Sequence, residues 1–440
     1  MAIGNFNGNN EESIPGKIKK AVHSNNLLLI DAVRKYGDKL LFFLALAILV
    51  TALLVRQGKS IRDVIAEAVV QNTALELIHW WEDGPEKELL LTLTEQFERT
   101  HDKLKVNLTY KPYEELRQAL FSPGEFPGDL YIMDLLWVPE LIKKEIIISG
   151  ENTGVYDPMV PIASFINVLY YNINILREAG FSRPPRSRNE FLSYARTIAN
   201  ARRGSGDEVS GVVLAMDGSS SRSIYDNIFP WIWAGGVQLI SDGNPAVTSR
   251  QVIDSLSFLA SLNTDGIISP GILSNPDADK IEDFITGRAA FMIAPTMYIE
   301  LAKEHLGEDA FGITSVPQPE NYAGKPSYAA FAWTLGIMTA SPVKEEARLL
   351  ADFLAGKASL FVERTNAVPL YQTQDPFYSR VWDIIIAGDD AGDFSGLAAE
   401  HEFEQIFREE LAKLFASQSN AAQTAAAVQA RWEALLSGAD

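Results

Sequence analysis

A chain of 440 residues with five histidines and no cysteine has few ways to hold a metal or mount a nucleophilic attack. The histidines are His23, His79, His101, His305 and His401, and none pair at the i, i+4 spacing that sets two imidazoles on one helix face. His401-Glu402 lacks a second histidine. Without cysteine there are no disulfides, thiolate metal sites, Fe–S clusters, thiol nucleophile or lipidated N-terminal cysteine. Gly392-Asp393-Phe394-Ser395-Gly396 places its serine one position late for a Gly-x-Ser-x-Gly elbow. Gly204-Ser205-Gly206, between Arg203 and Asp207, reads as a surface turn and not as a phosphate cradle. Carboxylate pairs are frequent, as 57 acidic residues require, so their mere proximity identifies no acid–base couple. No catalytic set, metal or cofactor is read from the residues.

The aromatic residues are more informative. Trp80-Trp81, Trp137, Trp231, Trp233 and Trp333 fall at the ends of strand-like segments or in the turns after them. Open α/β sheets bind ligands in the crevice outside the carboxyl ends of their strands. Flat aromatic faces stack on C–H-rich sugar faces, and carboxylates such as Glu82, Asp83 and Asp134 accept hydrogen bonds from hydroxyls. A single tryptophan is as readily a core residue; several at strand ends point to a site.

Strand and helix patterns alternate through the body of the chain. Leu75–Trp80 is a short apolar run closed by Gly84-Pro85. Glu86–Arg99 has leucines at helical spacing, Leu104–Tyr110 reads as a strand, Tyr113–Leu120 as a helix and Asp129–Met133 as a strand. Asn167–Asn172, Gly211–Ala215, Ala289–Ile293, Phe311–Val316 and Ala332–Met338 read as further strands. Glu190–Ala201, Val252–Leu262 and Lys344–Leu354 read as helices, and Phe403–Leu436 is mostly helical. This alternation predicts an α/β protein with a parallel sheet covered by helices.

Charge divides the chain unevenly. The net charge is −19, which disfavours binding to nucleic acid, yet residues 1–55 sum to +2 and the remainder to −21. Leu40–Val55 runs without a charge and spans roughly 24 Å as a helix, a little short of a ~30 Å hydrocarbon core. It lacks the periodic polar positions of a core helix and reads as a transmembrane or signal-anchor helix. Residues 1–39 form a polar, weakly basic tail, and 56–73 read as a linker helix. Val50 and Ala52 offer a small-residue cleavage pattern after Ala52, while the long preceding segment favours retention, so both outcomes stay open. Basic residues flank the segment on both sides (Arg34, Lys35 and Lys39; Arg56, Lys59 and Arg62) and do not orient it.

From about Leu75 the chain reads ELIHWWEDGPEKELLLTLTEQFERTHDKLKVNLTYKPYEELRQAL, then GDLYIMDLLWVPEL with Asp129 and Asp134, then VPIASFINVLYYNINILREAGFSRPPRSRNEFLSYA. It continues through PWIWAGGVQLIS, FITGRAAFMIAPTMYIELA, FGITSVPQP and FAWTLGIMTASPVKEEARLLADFL. Each motif is loose, whereas their order over some 360 residues is specific. In these motifs, from about Leu75 to Leu436, the sequence resembles the extracellular solute-binding proteins of bacterial ABC importers, in the sugar-binding family that includes maltose-binding protein.

The resemblance implies two α/β lobes with several hinge crossings, closing on a solute like a clamp and performing no chemistry. Lobe one would comprise 74–163 and 316–366, and lobe two 164–315 and 367–440. Ligand contacts carried over are Trp81, Glu82, Asp134 and Trp137 after the first and third strands, and Phe165 at the crossing. Tyr225, Asp226, Trp233, Thr296, Met297 and Trp333 complete the set. Phe165 replaces an acidic ligand residue, which removes a hydroxyl acceptor, and the stacking tryptophan missing at Thr296-Met297 argues against maltose itself. The stretch 148–160 is shorter than is usual in the family, which trims lobe one near the cleft rim. The implied function is capture of a solute, a mono- or oligosaccharide, for ABC permease subunits. The implied place is the bacterial cell envelope, with the body on the periplasmic or extracellular side of the cytoplasmic membrane. A membrane-tethered sensor or scaffold, and an enzyme built on this scaffold, are the alternatives.

Overall fold

The computed structural model describes residues 73–122, 127–150, 157–202, 209–218, 220, 222–241, 243–390 and 400–438. The expected tail, the apolar segment 40–55 and all but the last residue of the 56–73 linker lie outside the described residues. Among the described residues no helix is long and apolar enough to cross a membrane.

Period-two alternation in the first strands dictates how they are covered. Strand β1 (Thr73–His79) sends Leu75 and Leu77 to one face, where they meet Leu90, Leu93 and Phe97 of helix Pro85–Thr100. Its Ile78 goes to the other face, against Leu116 and Leu120 of helix Tyr113–Phe121. Strand β2 (Leu104–Tyr110) lies parallel to β1, as does β3 (Leu130–Asp134), whose Leu130 and Ile132 join the first cluster and Tyr131 and Met133 the second. Period-two and period-3.6 patterns thus agree on one helix-covered sheet for this lobe.

Strand β4 (Ala163–Asn172) is buried almost throughout, as befits a strand covered on both faces. The second lobe is built on β5 (Ser210–Val213), β8 (Ala289–Pro295) and β9 (Phe311–Thr314), with a small hairpin of β6 (Ile240–Ser241) and β7 (Asn244–Pro245) beside them. Here Leu169, Phe291 and Ile293 face a core that includes Phe403, Phe407 and Trp432 of the C-terminal helices Glu400–Phe415 and Ala421–Ser437. Val168, Tyr170, Met292 and Ala294 face the other way, against Phe284 and Phe377. Strand β10 (Ser327–Tyr328) pairs with β12 (Asp389–Asp390), and β11 (Ala330–Ile337) returns the chain to the first lobe.

The strand order is β2-β1-β3-β11-β4-β8-β5, with β9 also on β4. β5 runs parallel to β8, but β11 is antiparallel to β3 and β4, and β4 is antiparallel to β8 and β9. The sheet is therefore mixed, which corrects the all-parallel expectation. Helical crossovers keep direction within each lobe, whereas the two strands that pass between lobes enter from opposite ends. β4 does this within its own length: Ala163–Ile166 pair with β11, and Asn167–Tyr171 with β8. Val316 and Ala329 pack in the same core as Leu169, Phe291 and Ile293. The described flanks of the shortened stretch are tied to that strand. Ile148 N–H donates to Ile337 O at 2.9 Å, and the Thr334 hydroxyl donates to Pro158 O and Val160 O, each at 2.9 Å.

Candidate functional site

The first strand ends at His79, and the two tryptophans after it part company. Trp81 turns into the core, 5% exposed, its ring centroid 5.8 Å from both Trp333 and Phe361. Trp80 is half-buried and stands edge-on to Tyr113 at 5.3 Å, Trp333 at 5.7 Å and Trp137 at 6.1 Å. β3 ends at Asp134, whose Oδ1 accepts from Leu136 N–H at 3.0 Å and so caps the turn Leu135–Trp137. β11 supplies Phe331 and Trp333, both in contact with Phe165 of β4.

The opposing wall comes from the second lobe. After β5 come Ser220 and Arg222, then the short helix Ser223–Asn227 with Asp226. Helix Asp277–Ile285 brings Asp277 and Lys280, and β8 runs into the turn Thr296–Tyr298. Between the walls lies a hollow of about 430 Å³, with Trp80, Tyr113, Phe331 and Trp333 on one side and Arg222, Asp226, Lys280, Met297 and Tyr298 on the other. It is aromatic with a few polar groups, the usual make-up of a small-molecule site. A second hollow, of about 650 Å³, is bordered by Glu300, Glu363, Leu370, Tyr371 and Tyr378. The short stretch Met297–Glu300 contributes to both.

Charges in the first hollow come in pairs. Arg222 donates to Asp134 Oδ2 at 2.9 Å and to Asp226 Oδ1 at 3.2 Å. Its guanidinium lies 4.1 Å from the ring centre of Phe331 and 4.7 Å from that of Tyr225. The Tyr113 hydroxyl donates to the same Asp134 Oδ2 at 2.9 Å. Burial works against the guanidinium's charge, but Asp226 and Asp134 outweigh it and hold its pKa well above the ordinary value. Arg222 therefore joins a residue of the first lobe to one of the second. Lys280, 1% exposed, pairs with Asp277 Oδ1 at 2.7 Å and donates to Asn227 Oδ1 at 3.1 Å. Burial, then Asp277 and Asp226, pushes the Tyr298 hydroxyl upward, so it stays a neutral donor.

Of the residues the sequence put forward, Trp80, from the strand-end tryptophans, and Asp226, Met297 and Trp333, from the carried-over contacts, line the first hollow. Asp134 stands behind Arg222, fully buried, its oxygens occupied as described. Trp137 is 3% exposed among Trp80, Tyr113 and Phe121. Phe165 is stacked on Phe331, and Thr296 is buried with its hydroxyl accepting from Ile166 N–H at 3.4 Å. Tyr225 and Trp233 lie in the second-lobe core, and the Tyr225 hydroxyl donates to Ala330 O at 3.0 Å. Glu82 is exposed and accepts from the Tyr110 hydroxyl at 3.0 Å. Lining residues that the sequence reading did not put forward include Tyr113, Arg222, Asp277, Lys280, Tyr298 and Phe331. Tyr113, after β2, and Arg222, after β5, were legible by the strand-end rule. Lys280 gave no local signal, because a lysine in an amphipathic helix ordinarily faces water.

The family profile described as bacterial extracellular solute-binding protein matches residues 83–359. A Brucella abortus (strain 2308) chain named as a binding protein is 22% identical over 342 residues, covering 70% of this chain and 78% of that one. A "Probable ABC transporter-binding protein" of Deinococcus radiodurans is 23% identical over 290 residues, covering 58% and 67%. Among solved structures, maltose-bound MalE3 of T. maritima superposes with a TM-score of 0.68 at 18% identity, over 82% of this chain and all of that one. A Thermotoga lettingae solute-binding protein bound with α-D-tagatose gives 0.66 at 18% identity, covering 82% and 98%.

Proposed function

The chain belongs to the bacterial extracellular solute-binding protein family of ABC importers, whose members bind and do not catalyse, and we propose that its solute is a carbohydrate held in the aromatic hollow between the lobes. The observation that carries this reading is the hollow itself. Trp80, Trp333 and Tyr298 offer aromatic surface, and Asp226, Asp277 and Lys280 stand among them as hydrogen-bonding partners for hydroxyls. The sugar-bound structures of the same fold lend support. Tyr371 and Tyr378 make the second hollow a candidate extension for a longer saccharide.

In this reading Trp333, Met297 and Asp226 touch the solute. Trp81, Trp137, Phe165, Tyr225, Trp233 and Thr296 hold the walls, Asp134 acts through Arg222, and Glu82 lies at the rim. Lobe one is about 74–163 and the chain from β11 to 366, and lobe two is the remainder of the body, with β4 and β11 as crossings. Closure presents the loaded protein to ABC permease subunits, and residues 40–55 tether it to the cytoplasmic membrane with the body outside. The test is a thermal-shift screen of the purified protein against mono- and oligosaccharides and polyols. A ligand at 100 times its Kd stabilises by about 2.7 kcal/mol, a shift of several degrees. Silence across the panel would refute the carbohydrate assignment.

A further inference from the structure

Among the described residues, two cations, Arg222 and Lys280, and four carboxylates stand around the first hollow. Asp226, Asp277 and Glu114 lie on the wall, and Asp134 lies behind Arg222. Lys280 is already paired with Asp277. Arg222, the cation that faces the hollow from the end of the second lobe's turn, touches two carboxylates, one from each lobe. Its charge is overcompensated before any solute arrives. An anionic group approaching the guanidinium would meet Asp134 and Asp226 at close range in a partly desolvated space, where like charges repel strongly. The body's net charge has the same sign as those carboxylates.

We propose that Asp134, acting through Arg222, is a positioning residue that sets the charge selectivity of the cleft, admitting neutral solutes and rejecting anionic ones. Asp134 is suited to this because it is fully buried and does not line the hollow, so it touches no solute and acts by the charge it sets behind the guanidinium. The stacking of Arg222 on Phe331 and Tyr225 keeps that guanidinium in place if one carboxylate is neutralised.

The proposal rests on the hollow being the solute site, and its test separates the two ideas. Full-length protein is titrated with inorganic phosphate at constant ionic strength and followed by tryptophan fluorescence, to which Trp80 and Trp333 report. The wild type is expected to show no saturable response. Asp134→Asn, which keeps an acceptor for Leu136 N–H, is expected to bind phosphate about ten-fold or more tighter than any wild-type signal. The double variant Asp134→Asn/Arg222→Met should lose that gain. Should Asp134→Asn fail to fold, Asp226→Asn removes the other carboxylate and carries the same expectation. Saturable phosphate binding by the wild type, no gain in either asparagine variant, or a gain that survives loss of Arg222 would each overturn the proposal. A phosphate gain with silence in the sugar panel would leave the charge filter standing and refute the carbohydrate reading alone.

Discussion

Trp81→Ala and Trp80→Ala are neighbouring substitutions that should do different things. Trp81 is 5% exposed, so truncation empties almost the whole volume of a buried indole, and large-to-alanine changes of this kind cost about 3–5 kcal/mol. Its ring contacts with Trp333 and Phe361 are inside that figure. Against it, the Trp81 indole N–H has no hydrogen-bond partner among the described residues, and truncation removes a burial cost of about 1–3 kcal/mol. The expected net loss is about 2 kcal/mol, or roughly 2–3 °C in melting temperature for a chain of this size. Solute affinity should then change little at temperatures where the protein is folded. Trp80 is half-buried, and its truncation should cost only about 1–2 kcal/mol of stability. It should instead weaken solute binding by about ten- to thirty-fold, the loss of one aromatic anchor. Thermal unfolding by circular dichroism, paired with calorimetric titration of the solute found by screening, measures both quantities. If Trp81→Ala lost the solute at an unchanged melting temperature while Trp80→Ala bound normally, the assignment of the hollow would be refuted.

Other outcomes follow from the same geometry. Arg222→Met strips a fully buried carboxylate of its counter-charge and should destabilise the protein by about 3–5 kcal/mol by denaturant titration; Arg222→Lys should recover part of this. His79 is buried, and burial first, then Lys87, lowers its pKa from 6.5 to about 4. Between those values the unfolded chain binds the proton more readily, so stability should fall as pH drops from about 6.5 to 4, and His79→Phe should flatten that slope in melting curves. A Cβ on Gly211 would lie 2.6 Å from Ile267 Cγ2 and 2.8 Å from Ala195 O, so Gly211→Ala should cost about 1–3 kcal/mol in unfolding experiments without altering solute affinity.

Most of the secondary structure was legible because apolar spacing and burial coincide along it. Leu104–Tyr110 is the observed strand, and helices Tyr113–Phe121 and Lys344–Ala355 depart from expectation by one residue each. β4 was read short, as Asn167–Asn172, because its first residues belong to a crossing whose partner, β11, lies more than 150 residues away. The parallel expectation failed for the same reason: strand direction at a crossing is decided by which lobe the chain is leaving, and no local pattern encodes that.

The sequence by itself determined what kind of object this is. Ordered strand–helix units, strand-end tryptophans, an acidic body and the absence of cysteine all survive in any packing of those residues. Only the tertiary structure decided which side chains face the cleft. Trp80 and Trp81 share a type and a strand end, yet one lines the hollow and the other packs on Trp333 and Phe361, partners far along the chain that no local pattern specifies. Asp134 was legible as a carboxylate at a strand end, but its oxygens are taken by Tyr113, Leu136 and an arginine 88 residues along the chain. That partner is set by the approach of two lobes, and no spacing along the chain contains it.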